Sequence, residues 1–305
     1  MIVLIYNLYY KDHLNQMNNS KVSIIINCLN GEKFIVNCLQ SILNQTYKNF
    51  EIIYWDNNSS DNSLDLVKKF KSKKVKIYKS QKTLKLYNAR NKAISKANGK
   101  YIAFLDVDDT WHNQKIEKQV KKIENEKTDI VYTNHWIQNG GKNIFSNKKL
   151  PNKNMTFEIL NEYTICISTV LLKTKIFYDI NRFNKNYEII GDYDLFFRIS
   201  MKYKYSVIQE PLATYLYHSE NTSKKKLYLR IKEFDKWLKN NSKNFKDKTY
   251  QNLFERLYQE NRYLECNNLL IKKNYKLFFL ALLKINKISI KIKLICKMLY
   301  CIVLR

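Results

Sequence analysis

Between Lys21 and Trp136 the chain alternates short apolar runs with helix-patterned segments, and this alternation restricts its fold more than any other feature. The runs are VSIII (Val22–Ile26), FEIIYWD (Phe50–Asp56), VKIYKS (Val75–Ser80), YIAFLD (Tyr101–Asp106) and DIVYTNHW (Asp129–Trp136). Each predicts a strand. Between the first two, Phe34, Ile35, Cys38, Leu39 and Ile42 share one helix face. A second helix is expected over Leu64–Phe70, with Asp61 or Ser63 as its cap. A third is expected over Tyr87–Ala97, with Gly99 as its C′ residue, and a fourth over Gln114–Asn125. Repeated βα units of this length predict an α/β fold with a mostly parallel sheet and helices on both faces.

Further along the pattern loosens. Asn139–Asn154, with Gly140, Gly141 and Pro151, reads as a loop, and Thr164–Leu172 is apolar again. Asp192–Lys202 reads as a helix, and Tyr205–Tyr217 as two short strands around Pro211. From about Lys224 only helical patterning remains. The expected organisation is an N-terminal extension over residues 1–20, an α/β domain over 21–223 and a basic helical region over 224–305. Met17, just before the first strand, reads as the natural start, with residues 1–16 dispensable.

The charge balance bears on partners. A formal charge of +27 suits nucleic acid, an acidic membrane surface or a phosphate-rich substrate. Lysine spread over solvated faces of a chain rich in Lys, Asn, Ile and Tyr would look the same. The cysteines (Cys28, Cys38, Cys166, Cys266, Cys296 and Cys301) show no CxxC pair and read as thiols of a reducing compartment. No apolar run reaches the roughly 18 residues of a membrane span. The opening MIVLIYNLYYKDH lacks the basic flank and cleavage site of a signal peptide. The segment from Lys276 to Arg305 carries apolar residues all round with lysines every few positions. It can lie in a bilayer interface facing anionic headgroups, or pack as a helix with its lysines solvated.

Ligands of open α/β sheets bind at the carboxyl ends of the strands. Asn27 and Asn30 follow the first strand, Asp56–Asp61 the second and Asp106–Asp109 the fourth. Asp106 and Asp108 form a DxD whose carboxylates repel unless a cation or donors compensate them. Hard oxygen ligands at alternate positions suit Mg²⁺ or Mn²⁺, whose other positions take phosphate oxygens. Asp109 can instead cap the following helix. Asp192, after Gly191, reads equally as a helix cap or a general base, and Asp194 as the partner of Arg198 at i+4. No phosphate-binding GxxxxGK[ST] or dinucleotide GxGxxG occurs.

From Lys21 to Ser223, VSIIINCLNGEKFI, LQSILNQTYKNFEIIYWDNNSSDNS, YNARNKAISKANGKYIAFLDVDDTW and IIGDYDLFFRIS resemble, in order and spacing, the family 2 glycosyltransferases of the GT-A fold. The resemblance implies an inverting enzyme that uses a nucleotide-diphosphate sugar and Mn²⁺ or Mg²⁺. Its acceptor would be a glycan or lipid-linked hydroxyl in surface polysaccharide synthesis, and its place the cytoplasm or the inner face of the plasma membrane. Carried over residue by residue, Asn27, Asn30 and the Asp56-Asn57 pair line the nucleotide, and Lys85 and Arg90 lie in the segment that closes over it. Asp106 lies near the ribose and the metal, Asp108 is the direct metal ligand, Asp192 is the base, and His218 lies in a loop near the phosphates and metal. Four positions depart from the family pattern: Asn27 for Pro or Thr, Asn57 for a second Asp, Gly191 for Glu, and Leu216 for an Arg. A basic nucleic-acid-binding module or an inactive scaffold of the same fold are the rivals. The first is disfavoured because Lys outnumbers Arg and carboxylates crowd the ligand edge, so no nucleic-acid partner is expected.

Overall fold

The computed structural model describes residues 20–145, 148–219, 221 and 225–303. The expectations for the first 19 residues, including Met17 as the start, lie outside the described residues. The chain divides into two compact units, Met1–Ile159 with Tyr163–His218, and Leu160–Glu162 with Ser219–Arg305.

The first unit holds a nine-stranded sheet. The predicted strands are present as β1 (Val22–Cys28), β2 (Phe50–Asp56), β3 (Val75–Lys79), β4 (Tyr101–Phe104) and β6 (Ile130–Asn139). Three short ones, β5 (Thr110–Trp111), β7 (Lys142–Phe145) and β8 (Leu171–Lys173), and the long β9 (Tyr205–Tyr217) join them. The order across the sheet is β3-β2-β1-β4-β8-β6-β9-β5, with β7 paired to β6. β1 to β4 pair in parallel. β8 runs antiparallel to both β4 and β6, and β6 is parallel to β9. β6 and β9 therefore point the same way as β1–β4, and their carboxyl ends share one edge.

β1 and β2 are almost wholly buried because helices cover both faces. The helices of this unit are α1 (Ile35–Leu43), α2 (Ser63–Lys69), α3 (Leu86–Ile94), α4 (Lys115–Asn125), α5 (Met155–Asn161, whose last two residues belong to the second unit), α6 (Lys175–Asp179) and α7 (Gly191–Ser200). α1 buries Ile35, Cys38, Leu39 and Ile42, three and four residues apart, against Ile24, Ile26, Ile52 and Tyr54.

Several expectations are corrected. Asn139–Asn154 is not all loop: Gly140 and Gly141, at φ +55° and +80°, turn the chain into the β6–β7 hairpin. Tyr205–Tyr217 is one strand, since the register irregularity at Asn134 absorbs Pro211. Gly99 is not a helix C′ residue, because α3 ends at Ile94. A Cβ there would meet the Ser23 nitrogen at 2.6 Å and the Lys21 oxygen at 2.7 Å, so Gly99 lets its turn press on β1.

The second unit contains α8 (Leu227–Asn241), α9 (Lys248–Ile271), α10 (Tyr275–Leu283) and α11 (Ile288–Val303). Asp247 caps α9 by accepting from the Thr249 and Tyr250 amides. Cys266, Leu270, Phe278, Leu282, Leu294 and Met298 form its second core.

Candidate active site

The carboxyl edge of the sheet gathers most of the predicted residues. β4 ends at Phe104, and the next turn delivers Asp106, Asp108 and Asp109. They take different surroundings. Asp106 is 39% exposed and forms an ion pair with Arg90 of α3, whose side chain is 4% exposed. Arg90 also lies over the rings of Tyr87 and Phe183. Burial alone would lower the Arg90 guanidinium; the Asp106 charge and hydrogen bond, together with the nearby Tyr87 and Asp192, outweigh it and leave the group raised.

Asp108 accepts from, or shares a proton with, His218 Nε2 at 3.0 Å, where the chain leaves β9. The His218 ring packs on Phe34, 5.1 Å between centroids. Burial, then the Asp106 charge, raise the Asp108 carboxyl above its ordinary value, and His218 only partly opposes them. Asp109 does not cap α4, which begins six residues on at Lys115. It is buried, accepts from Ser168 Oγ at 2.6 Å and from the Leu216 amide at 3.1 Å, and so ties the acidic turn to β9. Burial and its two acidic neighbours push its pKa well up.

Asp192 stands in the first turn of α7, inside the helix and not at its cap position, which Ile190 occupies. Its Oδ1 accepts from the Tyr193 amide at 2.8 Å and from the Tyr87 hydroxyl at 3.1 Å. Burial raises its pKa, while Arg90, the Tyr193 amide and Tyr87 pull the other way. A partly exposed carboxylate with a raised pKa is suited to take a proton. Asp194, two residues on, is buried; Arg198 Nε donates to its Oδ2 at 2.9 Å, and Nη2 pairs with the same oxygen at 2.8 Å. Arg198 also donates to the carbonyls of Ile180 and Arg182, so the pair ties α7 to the segment that follows α6.

The departures at Asn57 and Gly191 have physical partners. The Asn57 amide donates to the Leu84 carbonyl at 2.9 Å and accepts from the Leu84 amide at 3.0 Å. An ionised Asp could not make the first bond. At Gly191 a Cβ would lie 2.4 Å from the Tyr87 ring, so the ring that holds Asp192 occupies the space a side chain would need.

The other predicted residues divide. Both polar atoms of the Asn27 side chain are buried with no hydrogen-bond partner among the described residues, a cost that a ligand would relieve. Asp56 is fully buried and accepts weakly from the Ser59 amide. Asn30, at φ +56°, is exposed and its Oδ1 accepts from the Ser60 amide at 2.9 Å, which pins two loops together. Lys85 is exposed at the start of α3.

Sequence reasoning missed Tyr87, Ser168 and Phe34. Tyr87 lies three residues before Arg90, on the same helix face, and that spacing could have revealed it. Ser168, inside an apolar segment, gave no signal. A separate cavity of about 790 Å³, lined by Asn91, Arg182, Asp194 and Arg198 among others, contains none of the predicted residues.

As to metals, no group of three or more His, Cys, Asp or Glu among the described residues is already gathered as a cage. Asp108 and His218 are in contact, and Asp106 lies in the same turn as Asp108. Carboxylate oxygen with imidazole nitrogen suits a divalent ion that draws its other ligands from a phosphate.

Comparison with known proteins gives consistent results. The profile of the family described as Glycosyl transferase family 2 matches residues 23–198. The UDP-Glc:alpha-D-GlcNAc-diphosphoundecaprenol beta-1,3-glucosyltransferase WfaP of Escherichia coli is 41% identical over 117 residues, 38% of this chain. The aligned part spans about half of that relative, 47% of its length. Among solved structures, S. aureus TarS 1-349 in complex with UDP-GlcNAc matches with a TM-score of 0.66 at 19% identity, covering 86% of this chain and 79% of that one. The mannosyltransferase PcManGT from Pyrobaculum calidifontis, in complex with GDP-Man and Mn²⁺, matches with a TM-score of 0.61 at 13% identity, covering 84% and 78%. The α/β fold is thus of the GT-A type, with a helical C-terminal extension.

Proposed function

Because this chain belongs to glycosyl transferase family 2, we propose that it is an inverting glycosyltransferase moving a sugar from a nucleotide-diphosphate sugar to a glycan or lipid-linked hydroxyl. The observation that carries the reading is the convergence on α3: Tyr87 donates to Asp192, while Arg90, one turn on, pairs with Asp106 of the DxD. Base and acidic turn are thereby fixed to one rigid element.

In this reading Asn27, Asp56 and Asn57 line the nucleotide, with Arg90 setting the orientation of Asp106 beside it. Asp108, His218 and Asp106 would hold Mn²⁺ or Mg²⁺. When bound, the ion supplies Lewis-acid neutralisation of the leaving diphosphate. Asp192 Oδ takes the acceptor hydroxyl's proton, and the resulting oxygen attacks the anomeric carbon from the face opposite the leaving group. The Tyr87 hydroxyl and Tyr193 amide hold the carboxylate in place for that transfer. The similarity to WfaP, which by its name takes UDP-Glc to a GlcNAc-diphosphoundecaprenol, supports a uridine nucleotide donor and a polyprenyl-diphosphate-linked acceptor.

The test is release of nucleoside diphosphate by the full chain with Mn²⁺ and a panel of nucleotide sugars, with and without lipid-linked acceptors. Acceptor-dependent release from one donor, abolished in Asp192→Asn, is the expected result. A folded protein that binds no nucleotide sugar would overturn the reading.

A further inference from the structure

We propose that the outward face of α11, continued onto α10, docks on an anionic lipid surface. Such docking requires nothing of the transfer chemistry. Both helices bury one face in the second core, through Phe278, Leu282, Leu294 and Met298. The opposite face of α11 is apolar too. Ile288, Ile292, Ile295 and Leu299 recur at intervals of four, three and four residues, which aligns them in one stripe along the helix. They are 73%, 56%, 37% and 51% exposed. On α10, Phe279, Leu280 and Leu283 are 48%, 51% and 74% exposed. Isolated exposed apolar residues need no explanation, whereas an ordered stripe on a helix with a separate buried face does.

The charges select the partner. From Cys266 to Arg305 the sequence carries eight lysines and no Asp or Glu. Lys284, Lys287 and Lys293 are exposed around the stripe. An apolar band bordered by flexible cations is the pattern of a helix lying in the interface, its side chains in the acyl boundary and its lysines at headgroup phosphates. Anionic lipid attracts each lysine near the surface. No helix among the described residues is long and apolar enough to cross a membrane, so the contact is one of lying on the surface. A second copy would set lysine against lysine with no carboxylate on either helix to pair them. Nucleic acid would engage the lysines and leave the stripe in water.

The experiment is flotation of the full chain with phosphatidylglycerol/phosphatidylcholine vesicles and with phosphatidylcholine alone. The variants are Ile288→Gln/Ile292→Gln/Ile295→Gln/Leu299→Gln and Lys284→Gln/Lys287→Gln/Lys293→Gln, each checked by thermal melting. The targeted side chains are exposed, so both variants should melt near wild type. Wild type should bind the anionic vesicles, and each variant should lose at least about tenfold in partitioning. Anionic-vesicle binding unchanged in the folded apolar variant overturns the proposal. So does a concentration-dependent dimer in sedimentation velocity that the apolar variant abolishes, which would assign the stripe to a second copy. Oligonucleotide binding that tracks the lysines, without vesicle binding, overturns it as well.

Discussion

The two edges of the one sheet treat their carboxylates in opposite ways. At the amino edge Glu51, in β2, receives hydrogen bonds from Ser23, Lys21 and the Asn98 amide, and Lys76 completes the cluster. Burial alone would raise it, yet these partners bring it down to about 2. Glu124, bonded to Lys100, Tyr101 and Ser20, and Asp129, bonded to Lys173 and the Lys204 amide, are likewise lowered against burial. At the carboxyl edge Asp108, Asp109 and Asp192 are raised, because burial and neighbouring acids outweigh their partners. Asp61 is the exception on that edge, lowered against burial by Ser63 in its own turn and by the Glu32 amide of the loop after β1. A carboxylate matched to cations and donors serves the fold. One left short of them costs stability and is poised for a cation or a proton.

The largest expected effect tests the uncompensated edge. Asp192→Asn keeps the size of the side chain and removes its basicity, so transfer should fall by roughly a hundredfold or more. Donor affinity and melting temperature should stay near wild type. Asp194→Asn is the control two residues away. It breaks the pair with Arg198, so it should lower the melting temperature while leaving turnover per folded molecule largely intact. Transfer lost in Asp194→Asn and kept in Asp192→Asn would reverse the assignment.

The compensated edge should answer in stability alone. A lowered carboxyl in the folded state contributes stability that is present above its ordinary pKa of 4.5 and is lost as pH falls toward about 2. Glu51→Gln should therefore cost roughly 3 kcal/mol at neutral pH and flatten the acid limb of a denaturation curve between those values. Unfolding in urea at several pH values measures both. A variant as stable as wild type would show that the edge is not held by this acid.

Next comes Asp108→Asn, which should weaken Mn²⁺-dependent donor binding by about tenfold and lower turnover with it, since both use the same ligand. Titration calorimetry of nucleotide sugar with and without Mn²⁺ reads the effect. Metal dependence unchanged in the folded variant would remove Asp108 from the ligand set.

The contrast between the edges also explains what the sequence disclosed. The strands β1–β4 and their helices were legible because the βα alternation reports burial on two faces, and the strand-end positions of Asp56, Asp106 and Asp108 followed from it. Short strands such as β5 and β8, of two and three residues, carry no periodicity to read. The pairing of each acid was hidden too, because its partners come from distant segments: Ser168 lies 59 residues from Asp109, and Tyr87 lies 105 residues from Asp192. The amide at position 57 looked like a loss of chemistry until the Leu84 backbone, 27 residues away, showed what it holds.

The smallest effect should come from Tyr87→Phe, and it probes how far compensation at Asp192 has been tuned. The hydroxyl at 3.1 Å from Asp192 Oδ1 favours the ionised carboxylate, against burial that favours the neutral acid. Removing it raises an already raised pKa, so the acid limb of the kcat/KM profile should move to higher pH. On the alkaline side of that limb, turnover should stay within about a few-fold of wild type, since Phe keeps the ring packed on Gly191 and Phe183. Gly191→Ala approaches the same bond from the other side. Its methyl would contact the ring at 2.4 Å and must displace it, so the limb should shift in the same direction with a larger loss of rate. A purely structural role for Tyr87 predicts lower stability with the limb unmoved. If both variants keep the wild-type limb, the hydroxyl does not set the basicity of Asp192.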